Sequence, residues 1–370
     1  MQTLLIDDIE EAFDITPLRG RAHNSPARSV VDGAAQTCDS PAGTWLTIKL
    51  DGERRTPAQT CQIGPQPSIV RDGMGILDDA YSLMFEGRTA DGVKALVDGL
   101  GSLRARFASM PDDYRYFAQS ICRTHPIADL IRQDPLSIAI RAGRKNLLDY
   151  IHDNQEPVGV SMTGRSLAAQ TSQIDLVRSL RSRRSILAQR IDEAAAHGNA
   201  RILVLGAGSF HEGRLSRIIR AGRYEELVLV DEDAQVLQSA KPEFTTGEES
   251  NLRTVQATVR ALLSRSVEFS GFDIVIAPAL FDTLADAEAR RLAETMFTML
   301  KPGGRAILVN AGDTLADSAF REAFLGWSVN SRSEADLVAL TSAIPSKLIG
   351  QVRLYRDEYG ISNFVELFRR

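Results

Sequence analysis

The sequence contains few cysteine, histidine and aromatic side chains, and the cysteines exclude several classes of site. Three of the 370 residues are cysteine and five are histidine, and aromatic residues make up 6%. Cys38, Cys61 and Cys122 are odd in number and far apart, so they form neither a disulfide framework nor a spacing typical of metal ligands. We therefore expect no bound metal and a reducing, cytoplasmic environment.

An excess of positive charge and long apolar runs are also missing. The formal net charge is −5, which argues against generic nucleic-acid binding because that function needs a basic surface. No apolar run has the length of a membrane-spanning helix, and the acidic start of the chain lacks the pattern of a signal peptide. A hydrophobic content of 44% and a charged content of 25% are typical of globular proteins with an ample core.

Three regions differ in composition and periodicity. Residues 1–75 are expected to form an appendage that is partly β or poorly ordered, with strand-like alternation from Thr44 to Leu50. Residues 76–197 show the three- and four-residue spacing of apolar positions that predicts helices, and we expect this helical region to act as a lid. Residues 198–370 alternate apolar runs with helical segments, which predicts an α/β domain.

The α/β domain is organised around its first strand and the turn that follows. Ile202 to Leu205 is a short apolar run, as a buried parallel strand requires, and Gly206 and Gly208 follow at once. Glycine lets the chain turn sharply and lets a ligand approach the backbone. A second apolar run ends in Asp231. This order predicts a nucleotide-binding unit in which the acid accepts hydrogen bonds from ribose hydroxyls.

The glycine pattern lacks one glycine of a dinucleotide-binding loop. His211 stands where the third glycine would be, which weakens the interpretation as an NAD site. A nucleoside without a pyrophosphate needs less of a phosphate-binding loop, so S-adenosylmethionine (SAM) fits the pattern better. The next segment, Arg214 to Gly222, is expected to form the helix that completes the unit.

The alternation of strands and helices continues to the end of the chain. An amphipathic helix from Asp286 to Leu300 is expected to end at the following Lys-Pro-Gly-Gly, because glycine and proline together stop a helix. Five more strands are expected at Leu252–Ala257, Phe272–Ala277, Arg305–Asn310, Lys347–Tyr355 and Asn363–Phe368.

Over residues 198–370 this set of motifs resembles the class I SAM-dependent methyltransferases. The Lys-Pro-Gly-Gly turn at 301–304 lies between a helix and an apolar strand, downstream of the Phe272–Ala277 strand and of the strand tipped by Asp231. The resemblance implies an α/β fold with a Rossmann-like seven-stranded sheet, mostly parallel and ending in an antiparallel hairpin. It also implies SAM as the cofactor.

Further segments resemble a narrower family, the bacterial methyltransferases of 3-hydroxypalmitic acid methyl ester (extracellular factor) biosynthesis. That family implies methyl transfer to a fatty-acid carboxylate. This chain departs from that family at two places. In the family a longer connection that contains an acid precedes the Leu-Asp-Tyr segment, whereas here the connection is shorter and Arg144 follows Ala142-Gly143. Thr283 stands where the family has an aromatic residue. The similar segments are His125-Pro126, Gln133-Asp134-Pro135, Leu148-Asp149-Tyr150-Ile151, Arg183-Arg184 before Ile186-Leu187, Leu280-Phe281-Asp282, and Trp327 to Arg369.

The expected cofactor contacts lie at the ends of strands, because open α/β sheets bind ligands at the carboxyl edge. Ala257 and Thr258 fall where the class I family contacts adenine, and Pro278 either lines the transfer site or only shapes its loop. Glu232 is either a further contact or, like Asp233, a solvent-facing or helix-capping residue. The expected cofactor-binding residues are Gly206, Ala207, Gly208, Asp231, Glu232, Ala257, Thr258, Ala277 and Pro278.

The sequence leaves the catalytic residue undetermined, with three candidates. His211 could contact the SAM carboxylate or an acidic substrate, His125 could orient a turn, and Tyr150 could line a lid. A surface histidine and a packed tyrosine are the plainer interpretations. The arginines within 181–184 could bind an acidic acceptor, but a solvated helix face is favoured for such a cluster.

The favoured function is carboxyl O-methylation of a small or lipid-like acid. Methyl transfer is an in-line displacement, so the protein mainly positions and desolvates the reactants. A carboxylate is ionised at neutral pH and needs no general base. Two alternatives stay open: a SAM-consuming cyclase or lyase that releases methylthioadenosine, and a non-catalytic SAM-binding regulatory protein. The expected partner is the small-molecule or lipid-like acid acceptor, and a homodimer is left open.

Overall fold

The structure is a computed structural model, and it describes residues 2–4, 35–40, 43–48, 67–196, 199–244 and 251–370. Apart from its three short strands, the expected appendage lies outside the described residues up to residue 66. The described strands are β1 (Gln2–Leu4), β2 (Ala35–Ser40), β3 (Gly43–Ile48), β4 (Arg201–Leu205), β5 (Glu226–Asp231), β6 (Leu252–Gln256), β7 (Phe272–Ala277), β8 (Leu300–Ala311), β9 (Ile349–Arg356) and β10 (Ser362–Arg369).

β2 and β3 pair as an antiparallel hairpin within a separate compact unit, Phe13–Ile63. The hairpin confirms a strand at the alternating segment that begins at Thr44.

The other eight strands form one mixed sheet in the order β1-β9-β10-β8-β7-β4-β5-β6. β6, β5, β4, β7 and β8 are neighbours in this order and run parallel to one another. β10, β9 and β1 continue the sheet beyond β8, and each is antiparallel to its neighbours. The seven C-terminal strands confirm the expected Rossmann-like sheet with its antiparallel hairpin, and β1 adds an eighth strand at the edge. The chain reverses direction across the sheet between β4 and β7, where open α/β sheets bind ligands.

Helices occupy the chain before the sheet and connect its strands. The helical region begins at Pro67, before the expected Ile76. It comprises α1 (Pro67–Phe85), α2 (Thr89–Arg106), α3 (Pro111–Tyr116), α4 (Cys122–Thr124), α5 (Ile127–Ile131), α6 (Pro135–Arg141), α7 (Arg144–Asp153), α8 (Met162–Thr171) and α9 (Asp175–Ala194). The connections between the strands of the sheet contain α10 (Arg217–Arg220), α11 (Ala234–Phe244), α12 (Val259–Leu263), α13 (Asp286–Thr298), α14 (Ser318–Phe320) and α15 (Glu334–Ala339).

The sequence predicts a helix over residues 214–222, and this prediction is wrong in length, because only the four residues of α10 are helical. The connection is held by a side chain of the helical region instead. Asp192 of α9 accepts hydrogen bonds from the hydroxyl of Ser216 at 2.6 Å and from the backbone N–H of Ile218 at 3.1 Å. Ser216 in turn caps α10 by accepting from Ile219. The Gly-rich turn is thus followed by a long loop.

Apolar cores cover both faces of the sheet and join it to the helical region. Leu292 and Met296 of α13 pack on one face, and Leu187 and Ile191 of α9 pack on the other. A third core of the helical region continues into the segment 311–325. Each fully buried large apolar side chain contributes about 1.5–3 kcal/mol. Residues 64–370 belong to one compact unit, which also includes β1. No helix of the described residues is long and apolar enough to cross a bilayer.

Candidate active site

The loop after β4 has the backbone conformation that its glycines permit. Gly206 has φ +67° and Gly208 has φ +54°, both in the left-handed region. A Cβ atom on Gly206 would lie 2.7 Å from the side chain of Leu280, so a larger residue would displace that leucine. The two glycines therefore allow a close approach of the loop to whatever occupies the space above it.

Asp231 lies beside this loop at the carboxyl end of β5 and is 2% exposed. Its Oδ2 accepts a hydrogen bond from the N–H of Gly208 at 2.8 Å, and its Oδ1 accepts from the N–H of Asp233 at 3.1 Å. A carboxylate has about four acceptor positions. Asp231 therefore keeps about two positions beyond these backbone contacts, which matches the number of hydroxyls on a ribose.

A cavity of about 530 Å³ lies at this carboxyl edge. Its size falls in the range of small-molecule sites, about 300–1,000 Å³. Five residues expected to contact a cofactor line it: Gly206, Asp231, Glu232, Ala257 and Thr258. The other side is largely apolar and includes Leu147, Leu148, Leu176, Leu180, Leu280, Leu284, Trp327 and Val329.

The remaining expected contacts lie around the cavity and are not among its lining residues. The N–H of Ala207 donates to Val230 at 3.0 Å, and Gly208 is bonded to Asp231, so both residues fix the loop. Ala277 and Pro278 are buried, whereas the next two residues of the chain, Ala279 and Leu280, line the cavity.

Two polar residues near the cavity cap helices. The hydroxyl of Thr258 accepts from Ala261 at 3.2 Å at the start of α12, although Thr258 also lines the cavity. Asp233 caps α11 by accepting from Gln235 at 2.8 Å, as one interpretation of the sequence expected.

None of the three catalytic candidates is among the described residues lining the cavity. His125 is buried, with its Nε2 3.1 Å from Oδ1 of Asp78. Tyr150 is buried in the core of the helical region, where desolvation raises the pKa of its hydroxyl to about 12. His211 is 3% exposed, so the surface position favoured by the sequence is wrong.

His211 belongs to a charged cluster that joins the cofactor loop to α7. Its Nε2 lies 3.4 Å from Asp149 and its Nδ1 lies 3.3 Å from Asp153. Burial lowers the pKa of His211 to about 4, although Asp153 opposes that shift. The two carboxylates and the imidazole are close enough to hold a metal ion. Lys145, Arg184 and Arg214 already pair with these carboxylates, so the cluster is a structural link.

The solvated face expected for the arginines within 181–184 is wrong for Arg183, which is 1% exposed. Arg183 forms a buried ion pair with Asp282, just after β7. Asp282 also accepts from Asn310 at 2.8 Å and from the N–H of Ala311 at 2.7 Å. These bonds fix the loop after β7 against α9 and the end of β8, because a buried charge must be paired and hydrogen-bonded.

The apolar side of the cavity was missed by the sequence analysis. Leu176 and Leu180 come from α9, and Trp327 comes from the segment after β8. The one feature of the sequence that could have pointed to this side is that Leu148 and Trp327 lie in segments that carry the narrower resemblance. Arg144, which replaces an acid in that resemblance, also lines the cavity.

A wider cleft of about 920 Å³ adjoins the cavity. Ser328 and Val329 line both spaces, so the two lie next to each other at this segment. The cleft is bounded by α2 and α3, which contribute Val97, Gly101 and Tyr114. Gly206, Gly208 and Asp231 are not among its lining residues, so the smaller cavity is the candidate cofactor site.

The chain was also compared with known proteins. Residues 202–304 match the family model for a methyltransferase domain. These residues carry a methyltransferase domain. No curated protein matches the chain significantly.

Similar solved structures have low identity to this chain. The magnesium protoporphyrin IX methyltransferase from Synechocystis with bound S-adenosylhomocysteine has 12% identity and a TM-score of 0.40 over 54% of this chain and 89% of that chain. The N-methyltransferase NodS from Bradyrhizobium japonicum with S-adenosylhomocysteine has 15% identity and a TM-score of 0.37, over 51% and 87%. An exported-protein candidate from Bordetella parapertussis has 13% identity and a TM-score of 0.46, over 66% and 95%.

SAM is the cofactor of this domain, and the residues present fit it. Gly206 lines the cavity without a side chain, and Asp231 keeps acceptor positions for a ribose. The methyltransferase domain covers the sheet from β4 into β8, whereas α7 and α9, which complete the cavity, lie upstream of residue 202.

Proposed function

We propose that the protein transfers the methyl group of SAM to the carboxylate of a small or lipid-like acid. The observation that carries this proposal is the make-up of the acceptor side of the cavity. Leucines and Trp327 form most of it, and its buried carboxylate, Asp282, is already engaged by Arg183 and Asn310. An acceptor that arrives ionised suits such a site, because it needs no proton removed.

The proposed roles of the chain follow from its geometry. Asp231 accepts the ribose hydroxyls, Gly206 and Gly208 lie under the methionine end, and Ala257 and Thr258 contact the adenine. Bound SAM supplies an activated methyl group on a sulfonium. The leucines of α7 and α9 exclude water, which leaves the acceptor carboxylate poorly solvated and therefore more reactive.

The adjoining cleft is the proposed site for the rest of the acceptor. A cofactor of drug size occupies most of a cavity of about 530 Å³, so a longer acceptor needs additional space. Val97, Ala105 and Phe107 give part of the cleft an apolar surface, and Arg104 and Arg115 lie among its lining residues. An amphipathic acid can therefore reach the cavity past Ser328.

The test is incubation of the protein with methyl-labelled SAM and straight-chain carboxylic acids of increasing length. We expect the label in a product that releases methanol on treatment with alkali, as a methyl ester does. Asp231→Ala is the control that should lose the product. Label in an alkali-stable product would overturn carboxyl methylation, and methylthioadenosine formed from SAM alone would favour the cyclase or lyase.

A further inference from the structure

Arg144 lies over the part of the cavity where a ribose is expected to bind. It is the first residue of α7, and its side chain is 45% exposed. Its Nη2 donates to the carbonyl oxygen of Gly206 at 3.2 Å, and its Nη1 lies 3.5 Å from Oδ2 of Asp231. The guanidinium thus contacts acceptor groups at the ends of both β4 and β5.

The acceptor positions on Asp231 indicate that Arg144 must move when a nucleoside binds. Two of about four positions are taken by the N–H groups of Gly208 and Asp233. A ribose that donates two hydroxyls needs the other two. Arg144 stands at one of them, so the ribose and the guanidinium compete for the same carboxylate.

The side chain of Arg144 can leave without any movement of its helix. An ion pair at 3.5 Å with a half-exposed arginine contributes little, because water screens it. α7 itself is fixed, since Leu147, Tyr150 and Ile151 are buried and Asp149 and Asp153 join the cluster around His211. Rotation of the side chain is therefore the motion that frees Asp231.

The displaced guanidinium has one suitable partner in the bound cofactor, the carboxylate of its amino-acid end. Among the described residues that line the cavity, the cationic side chains are Arg144 and Arg260. Arg260 follows β6, two strands from β4, and a strand spacing of about 4.8 Å places that strand end roughly 10 Å away. Arg144 already contacts Gly206, and the methionine end is expected to lie above that residue.

We propose that Arg144 recognises the α-carboxylate of the cofactor and, in doing so, releases Asp231 to the ribose. An arginine fork fits a carboxylate through two parallel hydrogen bonds. This assignment depends on the cofactor and not on the identity of the acceptor, so it stands or falls separately from carboxyl methylation.

The test compares two ligands by calorimetry. S-adenosylhomocysteine has the amino-acid end, whereas 5′-methylthioadenosine keeps the adenosine and the thioether and lacks it. Arg144→Ala should weaken the binding of S-adenosylhomocysteine by about ten-fold or more. It should leave methylthioadenosine binding unchanged or tighter, since a competitor for Asp231 has gone. Arg144→Lys should recover part of the loss because it keeps the charge.

Arg260→Ala is the matched control, because it removes the other cation of the cavity. It should leave the ratio of the two affinities as in the unmodified protein. Equal weakening of both ligands by Arg144→Ala would show a structural role and overturn the proposal. Tighter binding of S-adenosylhomocysteine would show that Arg144 only competes with the ribose, and would also overturn it.

Discussion

Asp231 is the residue on which cofactor binding is expected to depend most. Replacing it by alanine removes charge-assisted hydrogen bonds to the ribose, so SAM affinity should fall by about 1–3 kcal/mol. S-adenosylhomocysteine and methylthioadenosine should weaken together, because both contain the ribose. Titration calorimetry checks this. Asp233→Ala is the control, since Asp233 caps α11 and lines no part of the cavity. Unchanged affinity in folded Asp231→Ala would remove Asp231 from the site.

His211 is expected to make the stability of the protein depend on pH, with a sign that follows from its burial. Its pKa is lowered from 6.5 to about 4 by burial, so between these values the unfolded chain binds more protons than the folded one. The contribution of neutral His211 to stability is therefore complete above about pH 6.5 and is lost as the pH falls toward 4. The expected size is of order 1–3 kcal/mol.

Comparison of His211→Gln with the unmodified protein isolates the contribution of His211 to the pH dependence of stability. Burial raises the pKa of Glu212 to about 7, which acts in the opposite direction over a similar range. The free energy of unfolding should fall less steeply from pH 7 to 4 in His211→Gln than in the unmodified protein, as measured by urea denaturation. Parallel curves would mean that His211 does not titrate in this range.

At the scale of elements, the turn after β4 depends on a glycine for two reasons. Gly206→Ala places a Cβ atom 2.7 Å from Leu280 and forces alanine to φ +67°, a conformation that costs about 1–3 kcal/mol. We expect lower stability and weaker binding of S-adenosylhomocysteine. Gly303→Ala is the control, because Gly303 has φ +79°, has open space around it and lies at the other end of the sheet. It should lose stability but keep its affinity.

Helix α2 contains a glycine that its packing does not require. A Cβ atom on Gly101 would meet only the carbonyl oxygen of Ala316, at 3.7 Å, although glycine within a helix costs about 0.5–1 kcal/mol relative to alanine. Gly101 lines the cleft. Gly101→Phe should therefore reduce methyl transfer to long acids by about ten-fold while short acids react as before, which a chain-length series measures.

The chain offers a matched control for this substitution. Gly75 is also a helical glycine with open space around its Cβ position, but it lies on α1 and is not among the lining residues of the cleft. Gly75→Phe should react with every acid as the unmodified protein does. Loss of long-acid activity in both variants would mean that the effect is on folding.

At the scale of the whole molecule, the cofactor site is shared between the helical region and the sheet. Leu148 and Leu180 of the helical region line the cavity together with Asp231. Bound S-adenosylhomocysteine should therefore slow hydrogen exchange in α7 as well as in the loop after β4. Mass spectrometry measures both segments, with Asp231→Ala as the unliganded control. Protection confined to the sheet would contradict a lid formed by α7.

The division of the chain into three regions, with boundaries at residues 75 and 197, stays a prediction.

The sequence by itself determined the sheet and one side of the site. Short apolar runs, the glycine turn and an acid at a strand end are local patterns, and parallel strands bring their carboxyl ends to one edge wherever the chain folds this way. Gly206, Asp231, Ala257 and Thr258 could be found for that reason.

Only the tertiary structure decided the other side. Leucines of α7 and α9 look like core positions in the sequence, because a helical period does not tell whether an apolar face meets another helix or a cavity. The ion pair of Arg183 with Asp282 joins residues 99 positions apart, and the position of Arg144 over Asp231 also joins residues far apart in the chain. No local pattern encodes such contacts, since they exist only when the helical region packs on the carboxyl edge of the sheet.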